Sequence, residues 1–322
     1  MDLERLVREA VAVHLPGRRV AAVEDRGEWV RRIVLVRLED GEDVVFKISR
    51  PHEGEGWLEG GERIEQQVAQ LLAPTGLHVV PPVLAVDSTC EIMPTPYVIQ
   101  ACVGGTRLGQ LLRDHPEMGA DIYGAIGRVY AGIHSVQNDR DGLWNGSTPD
   151  KPWGTPTVYM YQAEIVGGSG RRAVESGRIT QQDHDRAVAL WGAHLDYLNR
   201  HQPTMVHVSA FPWTIYLEPD GVEWRVVKLT SVGDFLWWDP AYDVACLWRP
   251  PFGEMRPDWW DGFLNGYGEA PERKRLLLYV VMQRLCAAMG AYMAPQTPEN
   301  ARWAEHALVD FGALLDEVEA AS

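Results

Sequence analysis

Residues 204–245 read TMVHVSAFPWTIYLEPDGVEWRVVKLTSVGDFLWWDPAYDVA, and this stretch decides the fold. Short apolar runs alternate with breaks: Met205-Val206, then Ile215-Tyr216-Leu217, then Val226-Val227. Runs of this length bounded by turn formers predict strands. Pro219-Asp220-Gly221 predicts a hairpin turn between the second and third of them. The pattern is strand, tight loop, strand, hairpin, strand, loop, helix. Two loops between buried strands bring side chains to one edge of a core, where binding and catalytic groups commonly sit.

The spacing resembles the catalytic and metal-binding loops of the aminoglycoside phosphotransferase and choline kinase-like family, relatives of protein kinases. In that family the first loop runs roughly L-V-H-G-D-L-H-P-G-N-V-L. The second runs roughly I-D, six or seven residues, then G-D-P-x-Y-D-L-A. His207 and Pro212 fall in register, and so do Asp239-Pro240-Ala241-Tyr242-Asp243-Val244-Ala245. The resemblance implies a two-lobed, protein-kinase-like α+β fold. Its small lobe, residues 1–102, would hold an antiparallel sheet and one main helix. Residues 103–322 would form the larger, mostly helical lobe, carrying the catalytic loop at 204–217 and the metal loop at 226–243.

The chemical positions depart from the family. Ser209 stands where the catalytic aspartate belongs, Thr214 where the metal-binding asparagine belongs, and Ser231 where spacing puts the metal-binding aspartate. Phosphoryl transfer needs a carboxylate to orient the attacking hydroxyl, and carboxylate or amide oxygens to hold magnesium. Hydroxyls are neutral, weaker ligands. Three such losses together predict a kept fold and lost phosphoryl chemistry, with no metal site and no cofactor expected. ATP without magnesium is the one nucleotide use left open. A single feature opposes this. Gly233-Asp234-Phe235 would let Asp234 replace Ser231 as a metal ligand if the loop were shorter than the family norm.

Other residues of the loops define the remaining candidates. His207 is expected to hold loop backbone, with general-base catalysis as its chemical alternative. Ser209 lies two residues on, and alternate strand residues share a face, so a serine–histidine pair is conceivable. Asp239 is expected to bond the catalytic loop and Asp243 to start the next helix. Val208, Phe211 and Trp213 replace glycine, histidine and glycine of the family pattern. They refill the phosphate region with bulk suited to an organic ligand. Phe211, Trp213, Lys228, Asp234, Tyr159 and Tyr161 are the candidate pocket residues, with Trp144 and Trp153 as further aromatics.

Upstream, strands are expected at 19–23, 30–38 and 44–48, the last two joined at Asp40-Gly41, after an amphipathic helix over 2–15. Lys47 matches the family's phosphate-contacting lysine, and Glu65, on the following helix, its glutamate partner. The loop at 24–29, EDRGEW, has one glycine among acids and makes a poor phosphate cradle. Residues 96–106 resemble the hinge, and His134 is expected to pack beneath the catalytic loop.

The chain has 322 residues, is 46% hydrophobic and carries a formal net charge of −15. This suits a globular protein with a sizeable core and argues against nucleic acid or an anionic membrane as partner. It favours a cationic or neutral small organic molecule. Cys90, Cys102, Cys246 and Cys286 show no metal or disulfide spacing, so free core thiols in the cytoplasm are expected. No apolar signal core or 18-residue apolar run is seen. The expected function is a metal-free isomerisation, cyclisation or elimination on a small molecule. The alternatives are a non-catalytic, pseudokinase-type binding protein and an atypical small-molecule kinase using Asp234 for metal. Oligomeric state is not legible.

Overall fold

A computed structural model describes residues 2–28, 31–49, 63–143, 154–249, 255–293 and 308–321. Side chains at 28 and 287–293 are outside that description, as are Trp144, Trp153 and the expected helix start at 297–298.

Helix α1 (Leu3–His14) buries Leu6, Val7, Ala10 and Val11, the single face its periodicity predicts. It lies against an antiparallel sheet of β1 (Val20–Glu28), β2 (Arg31–Leu38), β3 (Asp43–Ser49), β5 (Tyr97–Ala101) and β4 (Val83–Asp87), in that spatial order. Alternate residues of β3 are buried, which sets Lys47 on the face away from Phe46 and Ile48. Helix α2 (Ile64–Leu72) follows. It joins the larger core with Ile64, Val68 and Leu72, and so it does not pack into the small core formed by α1 and the sheet.

The chain then leaves β5 through residues 102–105 and pairs β6 (Thr106–Arg107) with β9 (Ile215–Asp220), which pairs with β10 (Glu223–Leu229). Asp220 faces Glu223, so the hairpin turns on Gly221-Val222, one residue later than the sequence suggests; Gly221 has φ +67. A third sheet was not foreseen. Leu236–Trp238 forms β11, between β7 (Gly142–Leu143) and β8 (Thr204–Val206).

The helical part comprises α3 (Leu108–Asp114), α4 (Gly119–His134), α5 (Pro156–Met160), a π-helical segment (Tyr161–Gly167), α6 (Gly168–Glu175), α7 (Gln181–Leu198), α8 (Ala241–Trp248), α9 (Pro257–Tyr267), α10 (Arg273–Met293) and α11 (Phe311–Ala320). Helix α10 is the centre. Residues 276–282 are all buried, as in a helix apolar on every side. Among the described residues no helix is long and apolar enough to cross a membrane. Two of the four free cysteines, Cys90 and Cys102, are exposed, contrary to the expectation of core thiols; Cys246 is buried and Cys286 half-buried.

Helices α4 and α9 touch through backbone. A Cβ on Gly127 would lie 2.2 Å from the Phe263 carbonyl oxygen, and one on Gly266 would lie 2.1 Å from that of Gly124. Helix α4 carries Tyr130, which reaches His207 in the loop after β8, and His134, which reaches Asp243 on α8. Gly266→Ala should therefore separate the helices and cost about 1–3 kcal/mol. Urea denaturation measures it, and an unchanged midpoint would show that the helices can part freely.

Candidate active site

The loop after β8 hangs from one carboxylate. Asp243 Oδ2 accepts from the His207 backbone N–H at 2.7 Å, and Oδ1 from that of Val208 at 2.8 Å. His134 Nε2 lies 3.2 Å from the same Oδ2, and Tyr267 holds His134 Nδ1 at 2.9 Å. Asp239 looks the other way. It caps α8 at Ala241 N–H (2.9 Å) and accepts from Arg275 and Tyr279 of α10. The expected roles are thus exchanged: Asp243 holds the loop, and Asp239 ties its helix to α10. His134 packs beneath the loop as expected.

His207 is fully buried, and burial lowers its pKa against the opposing pull of Asp243. Its Nε2 lies 2.8 Å from the Thr230 carbonyl oxygen, which can only accept, so Nε2 carries the proton. Nδ1 then accepts from Tyr130 at 2.8 Å. Both ring nitrogens are engaged away from Ser209. Val208 intervenes with φ +66, so residues 207 and 209 do not share a strand face. The imagined serine–histidine pair does not form.

Ser209 instead donates to Asp234 Oδ2 at 2.8 Å. Asp234 lies in the short turn Val232–Asp234 after β10. The residue is exposed to solvent, yet neighbouring protein atoms displace part of the water around its carboxyl. That desolvation raises its pKa, opposed by the Ser209 hydrogen bond and by His207 and Arg31. Ser231, the position reached by family spacing, is exposed in a left-handed conformation at φ +59. Thr214 is buried, and its hydroxyl is spent inside the loop, its one proton shared between the carbonyls of Ser209 and Phe211 and its oxygen accepting from Phe211 N–H at 3.1 Å. Phe211 and Trp213 stack at 4.8 Å, half-buried.

Across the cleft Lys47 Nζ contacts both oxygens of Glu65, at 2.7 and 2.8 Å. Arg31 adds a longer contact of 3.4 Å. A Cβ on Gly233, next to Asp234, would lie 3.1 Å from the Arg31 guanidinium, which places this cluster beside the serine–aspartate pair. Lys228 donates to the Val103 carbonyl in the segment joining the two lobes, at 2.7 Å, and lies 3.9 Å from the Tyr216 ring centre. Burial lowers its pKa. Tyr161 packs on α7 with its hydroxyl 3.3 Å from the Val188 carbonyl oxygen, and Tyr159 is exposed. No described hydrogen bond or ring contact joins either to Ser209 or Asp234. Arg31, Arg107 and Tyr216 escaped the sequence reading. Arg31 sits two residues from Ile33, the cross-strand partner of Lys47, a placement that strand registers could have exposed.

A family model described as "Phosphotransferase enzyme family" matches residues 22–279. The chain belongs to this family. No curated protein matches the phosphotransferase-family chain by sequence. Among solved structures it is similar to a thermostable mutant of aminoglycoside phosphotransferase APH(4)-Ia, with TM-score 0.68, 15% identity and 98% and 99% of the two chains covered. It is also similar to a putative fructosamine-3-kinase from Thermobifida fusca, with TM-score 0.62, 20% identity and 98% of each chain covered. A third is aminoglycoside 2'-phosphotransferase-IIIa in complex with GDP, with TM-score 0.65, 16% identity and 99% and 98% covered. At these identities the likeness is one of fold.

Two outcomes follow from the loop's supports. Asp243→Ala leaves two buried N–H groups without an acceptor and should cost about 2–5 kcal/mol in chemical denaturation. Asp234 behaves oppositely. Because its folded pKa is raised, the folded state binds more protons than the unfolded one above the ordinary aspartate value, and stability falls as pH rises through that window. Asp234→Asn should raise Tm at pH 7, after solvent screening by on the order of 1–2 °C. The gain should vanish near pH 3, and a loss of stability at pH 7 would contradict the assignment.

Proposed function

We propose that this family member has given up ATP- and magnesium-dependent phosphoryl transfer and acts on a small organic molecule in the interlobe cleft. The observation that carries the proposal is the Ser209–Asp234 hydrogen bond together with the inward turn of Thr214. Transfer of a phosphoryl group calls for a base at the acceptor hydroxyl and oxygen ligands for metal ions. Here the loop offers a serine as base and a threonine whose hydroxyl is already committed. Among the described residues no three His, Cys, Asp or Glu side chains converge as a metal-holding group. Asp234 supplies a single carboxylate, a donor set that does not fit a two-magnesium arrangement.

The same residues suit proton transfer. A carboxylate with raised pKa, oriented by Ser209, takes a proton from one atom of a bound ligand and returns it to another. That is the balance of an isomerisation, and of a cyclisation or elimination in which the leaving group departs protonated. Phe211 and Trp213 supply an apolar wall. His207, locked by Tyr130 and Thr230, positions the loop and takes no proton.

One observation favours a second reading. Arg31 lies against Gly233, beside Asp234, and contacts Glu65 of the Lys47–Glu65 pair, which suits Asp234 as the metal-binding carboxylate of an atypical small-molecule kinase. Thermal unfolding separates the two, run with ATP and magnesium, with ATP and a chelator, and with neither. Ligand at 100 times its dissociation constant stabilises by roughly 2.7 kcal/mol, readily seen as a rise in Tm. No rise in either nucleotide arm is expected. A rise that needs magnesium and disappears in Asp234→Asn would replace the proposal with the atypical kinase. A tight organic ligand recovered unchanged after incubation would make the chain a binding protein and not an enzyme.

A further inference from the structure

Arg107, Tyr216 and Lys228 form one cross-strand row. Tyr216 is the direct partner of Arg107 on β6 and of Lys228 on β10. Residues paired across an antiparallel ladder project from the same face. Their neighbours Ile215, Leu217 and Leu229 point into the core, so the row occupies the opposite face, with Arg107 exposed and Tyr216 and Lys228 half-buried. A bulge at Val227 places Lys228 there: the register steps from Val226↔Leu217 to Lys228↔Tyr216.

The two cations converge on one ring. The Lys228 ammonium lies 3.9 Å from its centre and the Arg107 guanidinium 5.8 Å, with Arg107 Nε also donating to the Tyr216 hydroxyl at 2.9 Å. Neither cation has a carboxylate partner among the described residues. Glu218, two residues along β9 from Tyr216, is bonded to Arg225, its cross-strand partner on β10. Lys228 also feels Arg107 and Lys47 as like charges. In a chain of net charge −15, two adjacent cations with neutral partners and no carboxylate among the described residues, beside the segment joining the lobes, suit an anion from outside. Lys228 has three donors and spends one on Val103, and Arg107 keeps its terminal nitrogens.

We propose that the Arg107–Tyr216–Lys228 row is an anion site that takes the carboxylate or phosphate group of a small organic molecule. The proposal rests on the reading of the cleft as a small-molecule site and adds the ligand's charge. It reverses the expectation, drawn from overall acidity, of a cationic or neutral ligand.

Calorimetry and thermal unfolding of the whole chain test it, with sodium benzoate, sodium phosphate and neutral benzamide at matched ionic strength. At least one of the two anions should bind and raise Tm, and benzamide should not. Benzoate alone marks a carboxylate site, and phosphate alone a phosphate site. Lys228→Met should weaken the bound anion about tenfold or more, the worth of one charge-assisted hydrogen bond. Arg107→Met, at an exposed position, should weaken it in the same direction. Arg225→Met, which removes a paired cation of the same sheet, should leave it unchanged. No response to either anion, or a response equal in all variants, overturns the site. A magnesium-dependent ATP response would overturn the functional reading separately, because the anion site is judged on benzoate and phosphate alone.

Discussion

Two oxygens of Asp243 hold the backbone N–H groups of His207 and Val208, and the rest of the site depends on that clamp. A buried carboxylate facing consecutive N–H groups leaves the loop little freedom to shift. The clamp is itself held from below by His134 on α4 and by Tyr267 on α9. Those two helices are in turn fixed by glycine contacts that admit no side chain. Backbone packing far from the cleft thus sets where Ser209 stands.

Above this frame the residues divide by what they do. Two keep the contacts expected of them: His207 braces the loop, and Lys47 pairs with Glu65. The three positions matched to the catalytic aspartate and the metal ligands, 209, 214 and 231, have changed. Thr214 turns its hydroxyl on its own loop, so the turn is cross-braced from inside. Ser231 faces solvent, and Asp234 takes the place beside Ser209 that the spacing had given to position 231.

The order of strands and helices around 204–245 was legible because apolar runs and turn formers report burial directly. Helix α1 and the strands of the small lobe were legible for the same reason. What stayed hidden depended on partners distant in the chain. Asp239 and Asp243 exchange roles because Arg275 and Tyr279 lie more than thirty residues downstream and bond only Asp239. Strand β11 could not be foreseen, since three residues, Leu236–Trp238, carry no periodicity of their own. The choice between Ser231 and Asp234 turned on a single tight turn, and counting residues cannot resolve one. The cation row was concealed by the bulge at Val227, which moves Lys228 to a face that regular alternation would deny it.

The contact between Lys228 and the Val103 carbonyl spans the joint between the lobes. Gly105 lies against Val227 and Tyr216 so closely that a Cβ there would come within 2.7 Å of Val227. The joint is therefore stapled to the sheet beneath it by one charge-assisted hydrogen bond and one close backbone approach, which leaves residues 103–105 little freedom to serve as a hinge.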